Sequence, residues 1–119
     1  MNINDEAKIK RIADTYGFEK QREVLVEECS ELIQAVQKLK RAEDTDDAQH
    51  IEVATMQYIE ELADVTVMIG QMSILLTSNL RGEYQKKITQ KLDRQIARIE
   101  QERQKCIDDY KKWRNGVTA

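Results

Sequence analysis

Two short acidic clusters, Glu27-Glu28-Cys29-Ser30-Glu31 and Glu60-Glu61-Leu62-Ala63-Asp64, hold the residues of this chain best suited to chemistry. Each sets carboxylates three residues apart, a spacing that shares one helical face, so two such helices side by side can bring four acids to one point. At ~100° per residue, Glu31, Val24, Leu25, Leu32, Ala35 and Leu39 fall within roughly 60° of Glu28, whereas Glu23, Gln34 and Gln37 lie opposite. The same construction from Glu61 gathers Asp64, Val65, Met68 and Met72. The acids therefore interrupt the apolar stripes. Ionised carboxylates in such positions require cations, either basic side chains or a metal. An all-oxygen donor set suits a hard ion such as Mg²⁺, with Mn²⁺ as an alternative. The plainer reading is ordinary helix-surface charge in a chain that is 34% charged. Placement on both apolar stripes favours the cation site.

The elements that must position these acids are helices. The chain has no proline, four glycines and 5% aromatic residues, with abundant Glu, Lys, Gln, Arg, Ile and Leu, a composition that favours helix throughout. Apolar spacing predicts a short helix over Asp5 to Thr15, closed by Tyr16-Gly17, where glycine suits a C-terminal cap. A second runs from about Glu19 to Arg41 and carries Glu28 and Glu31. A polar connector, residues 42–49, follows, with Thr45 or Asp46 as the cap for a third helix from about Ala48 to Ser78, which carries Glu61 and Asp64. Asn79 to Gly82 reads as a turn.

A fourth, long helix is expected over about Glu83 to Arg114. There Leu92, Ile99, Cys106 and Trp113 recur every seven residues, with Ile88, Ile96 and Tyr110 beside them, a narrow seam of coiled-coil character. Residues 116–119 read as a frayed tail. The fold class is thus all-α, one domain over residues 1–119, a bundle of about four helices ending in a long C-terminal helix. Rods of this length leave too little core in one 119-residue chain, so a homo-oligomer, dimer or tetramer, is expected to complete it.

Composition also excludes. A formal net charge of −3 argues against nucleic-acid binding by a basic surface. No apolar run approaches the ~18 residues of a membrane span. The polar start, Met1-Asn2-Ile3-Asn4-Asp5-Glu6, lacks a signal peptide's apolar core, and two cysteines, Cys29 and Cys106, fit no CxxC pattern; together they point to a cytoplasmic protein. Cys29 reads as a small buried apolar residue, although it flanks the acids. His50 belongs to the connector region and is expected to be exposed.

The ordered pair Glu27-Glu28-x-x-Glu31 and Glu60-Glu61-x-x-Asp64, about thirty residues apart, resembles the MazG-like family of all-α nucleoside triphosphate pyrophosphohydrolases. The likeness extends to YGFEKQREVLVEECSELIQAVQKLKR and YIEELADVTVMIGQM, covers roughly residues 16–98, and is nearest to the small phage and bacterial members. The resemblance implies that Glu28, Glu31, Glu61 and Asp64 hold Mg²⁺ beside the phosphates of a (d)NTP, with Glu27 and Glu60 outside that set. It implies substrate contact for Gln21, one more pair of turns upstream on the Glu28 face. It also implies phosphate contacts on the last helix, where Thr89-Gln90-Lys91-Leu92-Asp93-Arg94 keeps Lys91 and Arg94 but lacks the asparagine and phenylalanine of the family pattern. The alternative for these two bases is a solvated helix face.

The reaction implied is hydrolysis of a (d)NTP to the monophosphate and pyrophosphate, a house-cleaning of the nucleotide pool. Phe18, Tyr58 and Trp113 are the scarce aromatics that can meet a base, with ordinary core packing as the plainer reading of each. The rivals are a non-catalytic helical adaptor, to which the Leu92-to-Trp113 seam is suited, and a sensor that binds nucleotide or metal without turnover.

Overall fold

The computed structural model describes residues 1–118, all but the first two of which fall in three helices and the short links between them. These are α1 (Ile3–Asp44), α2 (Ala48–Ile74) and α3 (Ser78–Thr118), with no strand among the described residues. The helix count is three where the sequence spacing suggests four, because the first two expected helices run together. The expected break is nonetheless present as a kink: inside α1, Gly17 leaves helical geometry at φ 80°, ψ 172°. That region of backbone space is open essentially to glycine alone.

The kink has a tertiary consequence. Gln21 meets Gln71 of α2, so a straight α1 would carry Ile9 about 18 Å beyond that level. Ile9 instead lies against Gly70, where a β-carbon would come within 3.3 Å of its Cδ1. The break at Gly17 therefore turns the N-terminal segment back onto the same part of α2, burying Ile9 and Ala13.

Past the kink, α1 and α2 lie antiparallel, Gln21 opposite Gln71 and Glu31 near Glu61. The buried apolar residues of this unit are Ile9, Ala13, Ala35, Ala42, Ala54, Val65 and Met68. Four are alanines, which allow close approach of the helices but bury little area. Val65 and Met68 contribute about 1.5–3 kcal/mol each if fully buried. The stripes drawn from Glu28 and Glu61 are the ones that face inward: Ala35, Val65 and Met68 are buried, and Val24, Leu25, Leu32, Leu39 and Met72 are half-buried.

Helix boundaries differ from the sequence reading in ways that local bonding explains. Asn2 caps α1 and forms a reciprocal capping box with Asp5, so the helix begins at Ile3. Asp47, not Thr45 or Asp46, caps α2, accepting from the backbone N–H groups of Gln49 and His50. Thr45 ends α1 instead, its hydroxyl donating to the Ala42 carbonyl, and Asp46 turns the chain at φ 57°. The second turn comes earlier than expected, after Leu75. Residues 79–82 are helical, and α3 continues through Thr118, so the expected frayed tail is helix as far as it is described, residue 119 lying outside.

The chain divides into two compact units, Met1–Ser78 and Asn79–Ala119. The second is the α3 rod, with Leu92, Ile96, Ile99, Tyr110 and Trp113 all more than half exposed. No helix among the described residues is long and apolar enough to cross a membrane.

Candidate metal centre

Antiparallel packing of α1 on α2 brings the two acidic clusters to the same level. Glu28 and Glu31 come from successive turns of α1, and Glu61 reaches them from α2. Each offers a carboxylate oxygen, and the three oxygens lie within 4.8 Å of one another. Glu28 and Glu61 are half-buried, and Glu31 is the most open of the three. Asp64 falls outside this trio and is exposed. It remains the foremost charged neighbour of Glu28.

The electrostatics are those of anions held together without compensation. Desolvation, and then the charges of Asp64, Glu31, Glu61 and Glu27, raise the Glu28 carboxyl above its ordinary value. Desolvation likewise raises Glu61, followed by the charges of Glu31 and Asp64, a hydrogen bond with Glu31 and the charge of Glu60. Two carboxylate oxygens of this cluster, Glu28 Oε2 and Glu61 Oε2, are buried and accept no hydrogen bond. An acceptor withdrawn from water and left without a donor carries its full desolvation cost. The donor set fits a hard divalent cation: oxygen only, anionic, from two helices, with free lone pairs.

Comparison of the chain with protein-family models, with curated proteins and with solved structures finds no match.

Beside the acids lies an open cleft of about 300 Å³, lined by Glu31, Gln34, Ala35, Lys38, Gln57, Glu60 and Glu61. Lys38 lies two turns along α1 from Glu31 and is the basic residue in a lining of acids, amides and Ala35. Sequence spacing passed over it; its i, i+7 relation to Glu31 is the signal that would have found it.

The remaining expected contacts are distributed differently. Gln21 is buried between the helices, its side-chain amide donating to Gln71 Oε1 at 2.5 Å, while Gln71 in turn faces the Met68 sulfur at 3.6 Å. Gln71 is a second residue that sequence reading missed, since no local pattern marks a partner fifty residues away. Lys91 and Arg94 belong to the second unit, where they share a face of α3 with Lys87 and Gln90. Phe18 is half exposed and carries the Arg22 guanidinium over its ring at 5.8 Å. Tyr58 is half-buried and Trp113 exposed. His50 is exposed in the first turn of α2. Cys29 is a half-buried free thiol.

Proposed function

We propose that this chain is a Mg²⁺-dependent nucleoside triphosphate pyrophosphohydrolase, converting a (d)NTP to its monophosphate and pyrophosphate, with Mn²⁺ able to replace Mg²⁺. The observation that carries this reading is the convergence of Glu28, Glu31 and Glu61, with an orphaned buried oxygen on two of them. Glu28, Glu31 and Glu61 would hold the cation, with Asp64 beside them. When bound, such an ion supplies an activated water and neutralises phosphate charge. The residues of the chain orient the substrate: Lys38 lies where it can meet a phosphate entering the adjoining cleft. Lys91 and Arg94 are retained as further phosphate contacts. Gln21 acts through the pairing of α1 with α2, because its amide is already engaged.

A homo-oligomer, dimer or tetramer, belongs to the same proposal. Its support is the apolar surface that the helix pair leaves uncovered: Val26 and Ile33 of α1 and Val53, Met56 and Ile59 of α2 are exposed. A cytoplasmic location goes with a nucleotide substrate.

The test is pyrophosphate release from a panel of canonical and modified NTPs and dNTPs, with and without Mg²⁺. Metal-dependent turnover is expected, and is expected to disappear in Glu28→Gln, Glu31→Gln and Glu61→Gln with helicity intact. Full activity in all three would remove the site from the reaction. No release from any nucleotide would leave the two rivals. A cation-dependent rise in melting temperature would then point to a sensor, and no response at all to a helical adaptor.

A further inference from the structure

Along the second half of α3, Leu92, Ile99, Cys106 and Trp113 occupy one heptad position, and Ile96, Arg103, Tyr110 and Val117 occupy the other, at alternating steps of four and three residues. The seam runs about 38 Å, beyond the three heptads that distinguish a coiled coil from a short amphipathic stretch. Its apolar members stand open: Leu92, Ile96, Ile99, Trp113 and Val117 are each more than half exposed, and Cys106 is an exposed free thiol. Tyr110 and Trp113 already meet along the seam, with ring centroids 5.9 Å apart and planes tilted by 34°.

We propose that residues 92–117 of α3 pair in parallel and in register with the same segment of a second copy, as a two-stranded coiled coil. Charges flanking the seam favour a second copy in this direction. In a parallel, in-register pair, Glu102 lies beside Arg103 of the second copy, a relation that occurs twice by the two-fold symmetry. Arg103, the one charged residue within the seam, meets Arg103 of the second copy across the axis, and the two Glu102 carboxylates offset that like-charge approach. Antiparallel registers centred on the seam instead set Glu102 or Asp109 opposite itself or opposite each other, which is unfavourable. The pairing is independent of whether the acidic cluster binds a cation.

Parallel pairing sets Cys106 against Cys106 of the second copy across the axis, and antiparallel pairing separates them, so the thiols report the geometry. The full-length protein would be treated with diamide and resolved by non-reducing electrophoresis. A covalent dimer is expected from the wild type and is expected to be absent from Cys106→Ser. In the Cys106→Ser background it should return with Ile99→Cys, inside the seam, and not with Gln101→Cys, on the far side of the helix. Ile99→Glu, which buries two like charges in the seam, should lower the wild-type yield by about ten-fold while circular dichroism retains the helical signal. Absence of the Cys106 dimer, an equal yield from Gln101→Cys, or indifference to Ile99→Glu would each overturn the proposal.

Discussion

The side-chain amide of Gln21 donates to Gln71 Oε1 at 2.5 Å, with both residues buried between α1 and α2. Two polar side chains in a core otherwise made of alanine, valine, isoleucine and methionine fix the lengthwise register of the helices, because only one alignment lets them meet. That register in turn sets Glu28 and Glu31 level with Glu61. Replacing Gln21 by alanine strands the Gln71 amide and should cost about 1–3 kcal/mol in denaturant unfolding. The double replacement Gln21→Leu, Gln71→Leu should recover most of that loss, since neither amide is then orphaned. If Gln21→Ala raised KM without changing stability, the residue would be a substrate contact instead of a helix clamp.

Gly17→Ala tests the kink. A β-carbon at φ 80°, ψ 172° is strained whatever the surrounding space, and nothing lies within 4 Å to compensate or obstruct. The expected cost is about 1–3 kcal/mol, read by chemical denaturation. The local relief available is to straighten α1, which would withdraw Ile9 and Ala13 from α2, so faster amide exchange in residues 3–16 should accompany the loss.

The raised carboxyls of Glu28 and Glu61 predict how the metal-free protein responds to pH. Their folded values lie above the ordinary 4.5, so the folded state binds protons that the unfolded chain has released. This contribution to stability is present at low pH and is lost as pH rises through the folded values. The melting temperature in EDTA should therefore fall as pH rises from 4.5 towards neutrality, and Glu28→Gln should flatten the decline. A slope unchanged in that variant would mean that these carboxyls do not titrate together.

Divalent cation should reverse the same penalty. At about one hundred times its dissociation constant, Mg²⁺ or Mn²⁺ binding only the folded state would add about 2.7 kcal/mol. The rise is expected to vanish in Glu28→Gln and Glu61→Gln, and to weaken in Asp64→Asn, because Asp64 lies outside the three converging oxygens. Calorimetric titration of the four proteins provides the check. An equal response in all would place the cation elsewhere.

Lys38→Ala should leave that cation response in place and weaken nucleotide binding. Loss of one charged hydrogen bond to phosphate is worth about 1.5–3 kcal/mol, a rise in KM of about ten-fold or more. An unchanged KM would return Lys38 to the solvated surface of the cleft.

Much of the architecture is legible along the chain because it is local. Freedom from proline, the i, i+3 and i, i+4 recurrence of apolar residues, and the conformational demand at Gly17 are properties of neighbouring residues, and helices are made by bonds between neighbours. The inward faces of α1 and α2, and the acids on them, follow from the same periodicity. Exact termini do not, since Asp47 and Thr45 compete to bond the same few backbone groups and only the folded turn decides between them.

What tertiary structure alone decided is which residues from distant stretches meet. Periodicity assigns Glu28, Glu31, Glu61 and Asp64 to two inner faces; it does not contain the register that gathers three of them and leaves Asp64 at the margin. The partner of Gln21, the return of Ile9 onto Gly70 and the entry of Lys38 into the cleft likewise depend on contacts between α1 and α2. The physical reason is that helix formation is specified within a few residues, whereas register is settled by packing and by the high cost of leaving a buried polar group unpaired across the whole interface.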